Sequence, residues 1–92
     1  MSDPLGNEPR DYWTDIRALE CFGVSMLDKM RKNKEKAHWD TVSQQWLLNR
    51  CVEELGELQD AIRKGDAEDI VAEAADVANL AMMIADNAKN GK

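Results

Sequence analysis

The stretch Glu53–Asp76, EELGELQDAIRKGDAEDIVAEAAD, decides the fold and holds two carboxylate pairs, Glu54/Glu57 and Glu73/Asp76. Each pair is spaced i, i+3, so in a helix both members stand on one face about one turn apart. The link Arg63-Lys64-Gly65-Asp66 is short enough to fold a second helix back on the first and bring four carboxylates together. At separations of about 5 Å and an effective dielectric near 20, each like-charge pair costs roughly 3 kcal/mol. Surface ion pairs return only about 0.2–1 kcal/mol, so nearby Lys and Arg do not offset this. A hard divalent cation does, which makes a Mg²⁺ or Mn²⁺ site the leading physical reading.

The helix carrying the first pair is expected to start at Asp40 or Thr41, where Thr41 and Gln44 form a capping-box pattern, and to end near Lys64. Arg63 and Lys64 suit its negative end, and Gly65 is the expected left-handed cap. Leu47, Leu48, Cys51, Leu55, Leu58 and Ile62 gather into one stripe with Glu54 at its edge. Gly56, costly in mid-helix, points to close approach of another backbone or a ligand. Asp66 caps the next helix, expected to run to about Asn87 with its apolar side on Ile70, Ala74, Val77, Ala81 and Ile84, and Leu80 alongside. Glu73 projects into that side and Asp76 lies next to it. A carboxylate on an apolar stripe is expensive unless paired or metal-bound. Val71, Ala78 and Met82 extend the apolar surface around this helix, which implies burial from two sides and a bundle completed by a second subunit.

Upstream, residues 1–10 contain Pro4, Gly6, Asn7 and Pro9 and read as a flexible leader. A first helix should begin near Asp11 or Thr14 and run to about Asn33, with Ile16, Leu19, Cys21, Phe22, Met26, Leu27 and Met30 as its apolar side. The helical domain then spans 11–88, and 89–92 is a polar tail expected to fray. The class is all-α: three main antiparallel helices forming a bundle completed by oligomerisation. With 92 residues, the chain makes one small domain that gains from association. Its net charge of −6 argues against a coat for DNA or RNA. Cys21 and Cys51 lack CxxC spacing and read as reduced core residues of a cytoplasmic protein. No apolar run is long enough for a membrane span.

Between the first two helices, RKNKEKAHWD (Arg31–Asp40) breaks the apolar period and carries Arg31, Lys32, Lys34 and Lys36 ahead of His38 and Trp39. Such a charge run serves as a solvated helix end and connector. Leading into the helix of Glu54 and Glu57, it also fits a phosphate-facing loop with an aromatic wall for a base. His38 is the only histidine, so a multi-histidine metal site is excluded. On residue type alone, Glu53, Asp60, Glu68 and Asp69 form solvated helix faces.

The run Glu53-Glu54-Leu55-Gly56-Glu57, 15 intervening residues, then Glu73-Ala74-Ala75-Asp76 resembles the EExxE and ExxD signature of the MazG-like nucleotide pyrophosphohydrolases, within the all-α NTP pyrophosphatase superfamily. KAHW, Lys36–Trp39, is similar to a KGHW-type segment of short MazG-like proteins, and the likeness continues through EAADVANLAMMIAD to Asp86. The resemblance implies metal-dependent hydrolysis of a (d)NTP between the α and β phosphates to NMP and pyrophosphate. It implies Glu54, Glu57, Glu73 and Asp76 as Mg²⁺ ligands, and Glu53 as a further acidic residue that orients water or a second ion. Lys34, Lys36 and Arg50 are candidates for outer phosphates, and His38, Trp39 and Asn79 for sugar or base. A chain this short is expected to complete its pocket from a neighbouring subunit, as a homodimer or homotetramer. No GxxxxGK[ST] run indicates a P-loop. Two other classes are compatible with the residues: a nucleotide- and metal-binding protein without turnover, and an acidic oligomerisation module without ligand.

Overall fold

Caps set the helix boundaries. Asp11, Ser43 and Asp66 each accept a backbone N–H from the first turn of the helix they precede, which supplies donors that the helix itself leaves unpaired. The resulting elements are α1 (Tyr12–Lys32), a short 3₁₀ turn (Trp39–Thr41), α2 (Gln44–Lys64) and α3 (Ala67–Lys89). The computed structural model describes residues 10–33 and 38–92. Among them there is no strand, and the all-α expectation holds. No helix among them is long and apolar enough to cross a membrane.

The start of the second helix differs from expectation. Thr41 does not cap it; its Oγ1 donates to His38 O (2.7 Å) and closes the 3₁₀ turn. Ser43 caps α2 by accepting from Trp46 N–H, and the Gln44 amide reaches across to donate to Ile84 O. Gln44 is therefore used between helices and not in a capping box. Gly65, with φ +75°, terminates α2 as expected. The tail is also better held than its polarity suggests, because Lys92 N–H donates to Asn87 O at 2.9 Å.

α3 lies in the middle, with α2 against one side and α1 against the other. Both neighbours run antiparallel to it: Cys51 faces Val77 and Gln44 faces Ile84 on the α2 side, while Met26 faces Asn79 and Lys29 faces Asp76 on the α1 side. The two-sided burial of α3 is thus met within one chain. Leu47, Leu80 and Met83 form the fully buried centre, ringed by Met30, Trp39, Val42, Cys51, Met82 and Ile84. The connector is clamped to this end of α3, with Trp39 Nε1 donating to Asp86 Oδ2 (3.0 Å) and Asn87 Nδ2 donating to Trp39 O (3.0 Å).

Two predicted apolar faces are rotated from their expected orientation. On α2 the buried residues are Leu47, Glu54 and Ala61, whereas Leu48, Leu55 and Ile62 stand exposed. The single stripe read from sequence is two adjacent faces, of which one meets α3 and the other does not. On α3 the buried positions are Ala75, Asp76, Asn79, Leu80, Met83 and Asn87, and Ala81 is exposed. α1 buries no residue fully and packs chiefly on α3, and Cys21 is exposed where a core position was expected. Gly56 is no point of close approach inside the chain, since a Cβ there would meet nothing within 4 Å.

Gly65→Ala tests the turn that folds α3 back on α2. Space is open around the position, so the cost comes from the left-handed backbone alone, about 1 kcal/mol. Urea unfolding should show that loss in midpoint with an unchanged slope; an unaltered midpoint would show that the αL cap is not needed.

Candidate metal centre

The register of the α2–α3 hairpin brings the carboxylates together. Continuing the antiparallel pairing from Gln44/Ile84 and Cys51/Val77 toward the Gly65 turn sets Glu54 and Glu57 against Glu73. One oxygen from each of these three residues lies within 4.8 Å of the others. Glu54 is buried at 6% exposure, Glu73 is half-buried, and Glu57 stands at the solvent edge. The helical i, i+3 spacing on α2 supplies two of the oxygens and the hairpin supplies the third.

Burial, first, and then the hydrogen bond and charge of Glu57 and the charge of Asp76 push the Glu73 carboxyl above its ordinary value, with Lys29 pulling the other way. Glu73 Oε2 is buried with no hydrogen-bond partner. Crowded hard oxygens, an acid driven toward its neutral form and a buried acceptor lacking a donor fit what a hard divalent cation would satisfy. A cleft of about 260 Å³ beside the trio is lined by Glu57, Asp60, Ala61, Lys64, Asp69 and Glu73, so access from solvent is open.

Arg50 borders the trio. Its guanidinium pairs with Glu53 and reaches Glu54 at 3.1 Å. The hydrogen bond to Glu53, opposed by burial and aided by the charges of Glu54, Glu53 and Glu57, raises its already high value, so it is a permanent cation here. Glu53 itself is exposed and turned toward Arg50, outside the trio. Asp76 lies one turn beyond Glu73 on α3, buried at 6% exposure, with Oδ2 3.3 Å from Lys29 Nζ of α1. The fourth expected ligand is therefore next to the trio and engaged by a lysine.

The other expected contacts fall elsewhere. Asn79 is buried between α1 and α3, where its Nδ2 donates to Met26 O at 2.9 Å. Trp39 is half-buried and bonded to Asp86, which follows Glu73 by 13 residues, roughly 20 Å along a helix. His38 is exposed beside Trp39. Neither ring is brought to the carboxylates within this chain. Lys34 and Lys36 lie outside the described residues. Sequence reading passed over Lys29; the signal was a lone cation on the Met26/Met30 side of α1, the counterpart of Glu73 on an apolar face.

Because Glu73 holds its proton more tightly when folded than when unfolded, its effect on stability has a fixed sign. Stability present below the ordinary glutamate value is lost as pH rises through the raised value. In EDTA, melting temperature should therefore fall more steeply as pH rises above the ordinary glutamate value in wild type than in Glu73→Gln. Equal slopes in the two proteins would show that Glu73 is not strained by its neighbours.

Residues 42–92 match the family model described as the MazG nucleotide pyrophosphohydrolase domain. No curated protein and no solved structure matches the chain. The family match takes in the whole α2–α3 hairpin, and with it each member of the carboxylate trio, and leaves out α1. It spans more than half of the chain, and its motif-bearing helices are those whose pairing builds the cluster. The chain belongs to the MazG nucleotide pyrophosphohydrolase family.

Proposed function

We propose that the protein hydrolyses a nucleoside triphosphate between the α and β phosphates, releasing NMP and pyrophosphate, with Mg²⁺ or Mn²⁺ as its cofactor. The observation that carries this reading is the convergence of Glu54, Glu57 and Glu73 within 4.8 Å on the part of the chain that matches the family. When bound, the cation would neutralise phosphate charge and lower the pKa of a water. Glu54, Glu57 and Glu73 would hold the ion, and Asp76 would join them as fourth ligand. Glu53, kept in place by Arg50, orients the attacking water. Arg50 offers its remaining donor capacity to phosphate oxygens. The water oxygen bonds to phosphorus, the bond to the bridging oxygen breaks, and the water proton passes to a carboxylate. Removal of non-standard nucleotides from the cytoplasmic pool is the role this chemistry fits.

The deciding experiment is pyrophosphate release from a panel of standard and modified (d)NTPs with Mg²⁺, Mn²⁺ or EDTA. Wild type should release pyrophosphate only with metal, and Glu73→Ala should lose at least about 100-fold while remaining folded. Tight Mg²⁺-dependent nucleotide binding with no release from any substrate would make the protein a nucleotide-binding module instead.

We also infer that a second copy covers the exposed face of α2. Leu48, Val52, Leu55 and Ile62 are 48%, 60%, 48% and 58% exposed and fall along one side of that helix. Gly56 interrupts the same side with open space above it, which would admit another backbone closely. Within one chain His38 and Trp39 are remote from the carboxylates, so a base held near Glu73 needs walls from elsewhere. Light scattering should give a dimer or tetramer for wild type and a smaller species for Leu55→Asp. Monomeric wild type at micromolar concentration would overturn the assembly.

A further inference from the structure

Among the described residues, Lys29 pairs with Asp76. Its Nζ lies 3.3 Å from Asp76 Oδ2, with the lysine side chain 26% exposed and the aspartate side chain 8% exposed. Its charge also opposes the raised state of Glu73. α1 therefore delivers a positive charge to the α3 side of the carboxylate cluster, while Arg50 serves it from α2. Lys32, one turn on, joins Lys29 in lining a cavity of about 370 Å³ between α1 and the start of α3, where Asp28 and Glu68 balance the two lysines. Its lining includes Lys29, which pairs with Asp76, and none of Glu54, Glu57 and Glu73.

A lysine facing a carboxylate that is also a metal ligand cannot keep that partner at full strength once a divalent cation arrives. Two cations compete for one anion, and the displaced ammonium needs another. The triphosphate of the substrate supplies it.

We propose that Lys29 is a positioning cation that alternates between two anions. It holds Asp76 in the metal-free protein and passes to the outer phosphates of a nucleoside triphosphate when metal takes Asp76. This rests on the metal-dependent nucleotide site proposed above.

The test uses Lys29→Gln, which keeps a hydrogen-bond donor toward Asp76 and removes the charge, with Lys29→Arg as the rescue variant. Calorimetric titration with Mn²⁺ alone should show binding about tenfold tighter in Lys29→Gln, because the competing cation is gone. Titration of the Mn²⁺-loaded protein with an α,β-methylene nucleoside triphosphate should show binding about tenfold weaker, with Lys29→Arg near wild type in both. A strut between α1 and α3 would not move the two affinities in opposite directions. Metal affinity unchanged or lowered in Lys29→Gln, or unchanged nucleotide affinity, overturns the proposal.

Should Lys29→Gln not fold, reductive methylation of wild type read by mass spectrometry decides the matter. Lys29 should become more reactive on adding Mn²⁺ and be protected again on adding the methylene nucleotide; constant reactivity overturns the proposal. Failure of the proposed hydrolysis would appear separately, as absent pyrophosphate release with these binding changes intact.

Discussion

The structure depends on the repulsion among carboxylates held between α2 and α3. Glu54 is almost wholly buried, Glu73 faces it from the opposite helix, and Glu57 completes the group. At such separations the mutual cost is of the order of several kcal/mol, comparable with the stability of a small domain. Compensation is arranged from both flanks: Arg50 neutralises Glu53 and Glu54 from within α2, and Lys29 neutralises Asp76 from α1. Elsewhere the hairpin is closed by apolar contacts around Leu47, Leu80 and Met83 and by the hydrogen bonds of Trp39, Gln44 and Asn87. The core is thus offset toward the open end of the hairpin, and the turn end is left to polar chemistry.

Features governed by local chemistry were legible in the sequence. Asp11 and Asp66 as N-caps and Gly65 as a left-handed terminus follow from side-chain and backbone preferences acting over a few residues, and all three are found. The carboxylate trio was legible for the same reason, since i, i+3 spacing fixes one half of it and a short turn fixes the other. The rotation of each helix was not. α2 has apolar residues on two adjacent faces, and periodicity averages them into a single stripe pointing between the two. Only the shape and polarity of α3, with Asp76, Asn79 and Asn87 on its buried side, settles which face turns inward.

Polar residues in the interior show a related limit. Asn79 and Trp39 near an acidic motif read naturally as ligand contacts, yet Asn79 donates to Met26 O and Trp39 to Asp86. A buried amide or indole needs a hydrogen-bond partner whatever the function of the protein, and sequence does not say whether that partner is a ligand or another part of the chain. Lys29 is the converse case. An isolated lysine on a helix is ordinarily a solvated residue. Here the antiparallel pairing of α1 with α3 turns it onto the one buried aspartate.

The helix that carries Lys29 is also the one with no fully buried residue and the one outside the family match. The α2–α3 hairpin contains its own turn, its own core and the whole carboxylate trio, so α1 is joined to it as an interchangeable wall. Substitutions along such a wall need not disturb the interior, because few of its side chains are committed to packing. A lineage could therefore retune the charge and width of the cavity between α1 and α3 by redrawing α1, leaving the carboxylate-bearing hairpin as a constant cassette beside a variable wall.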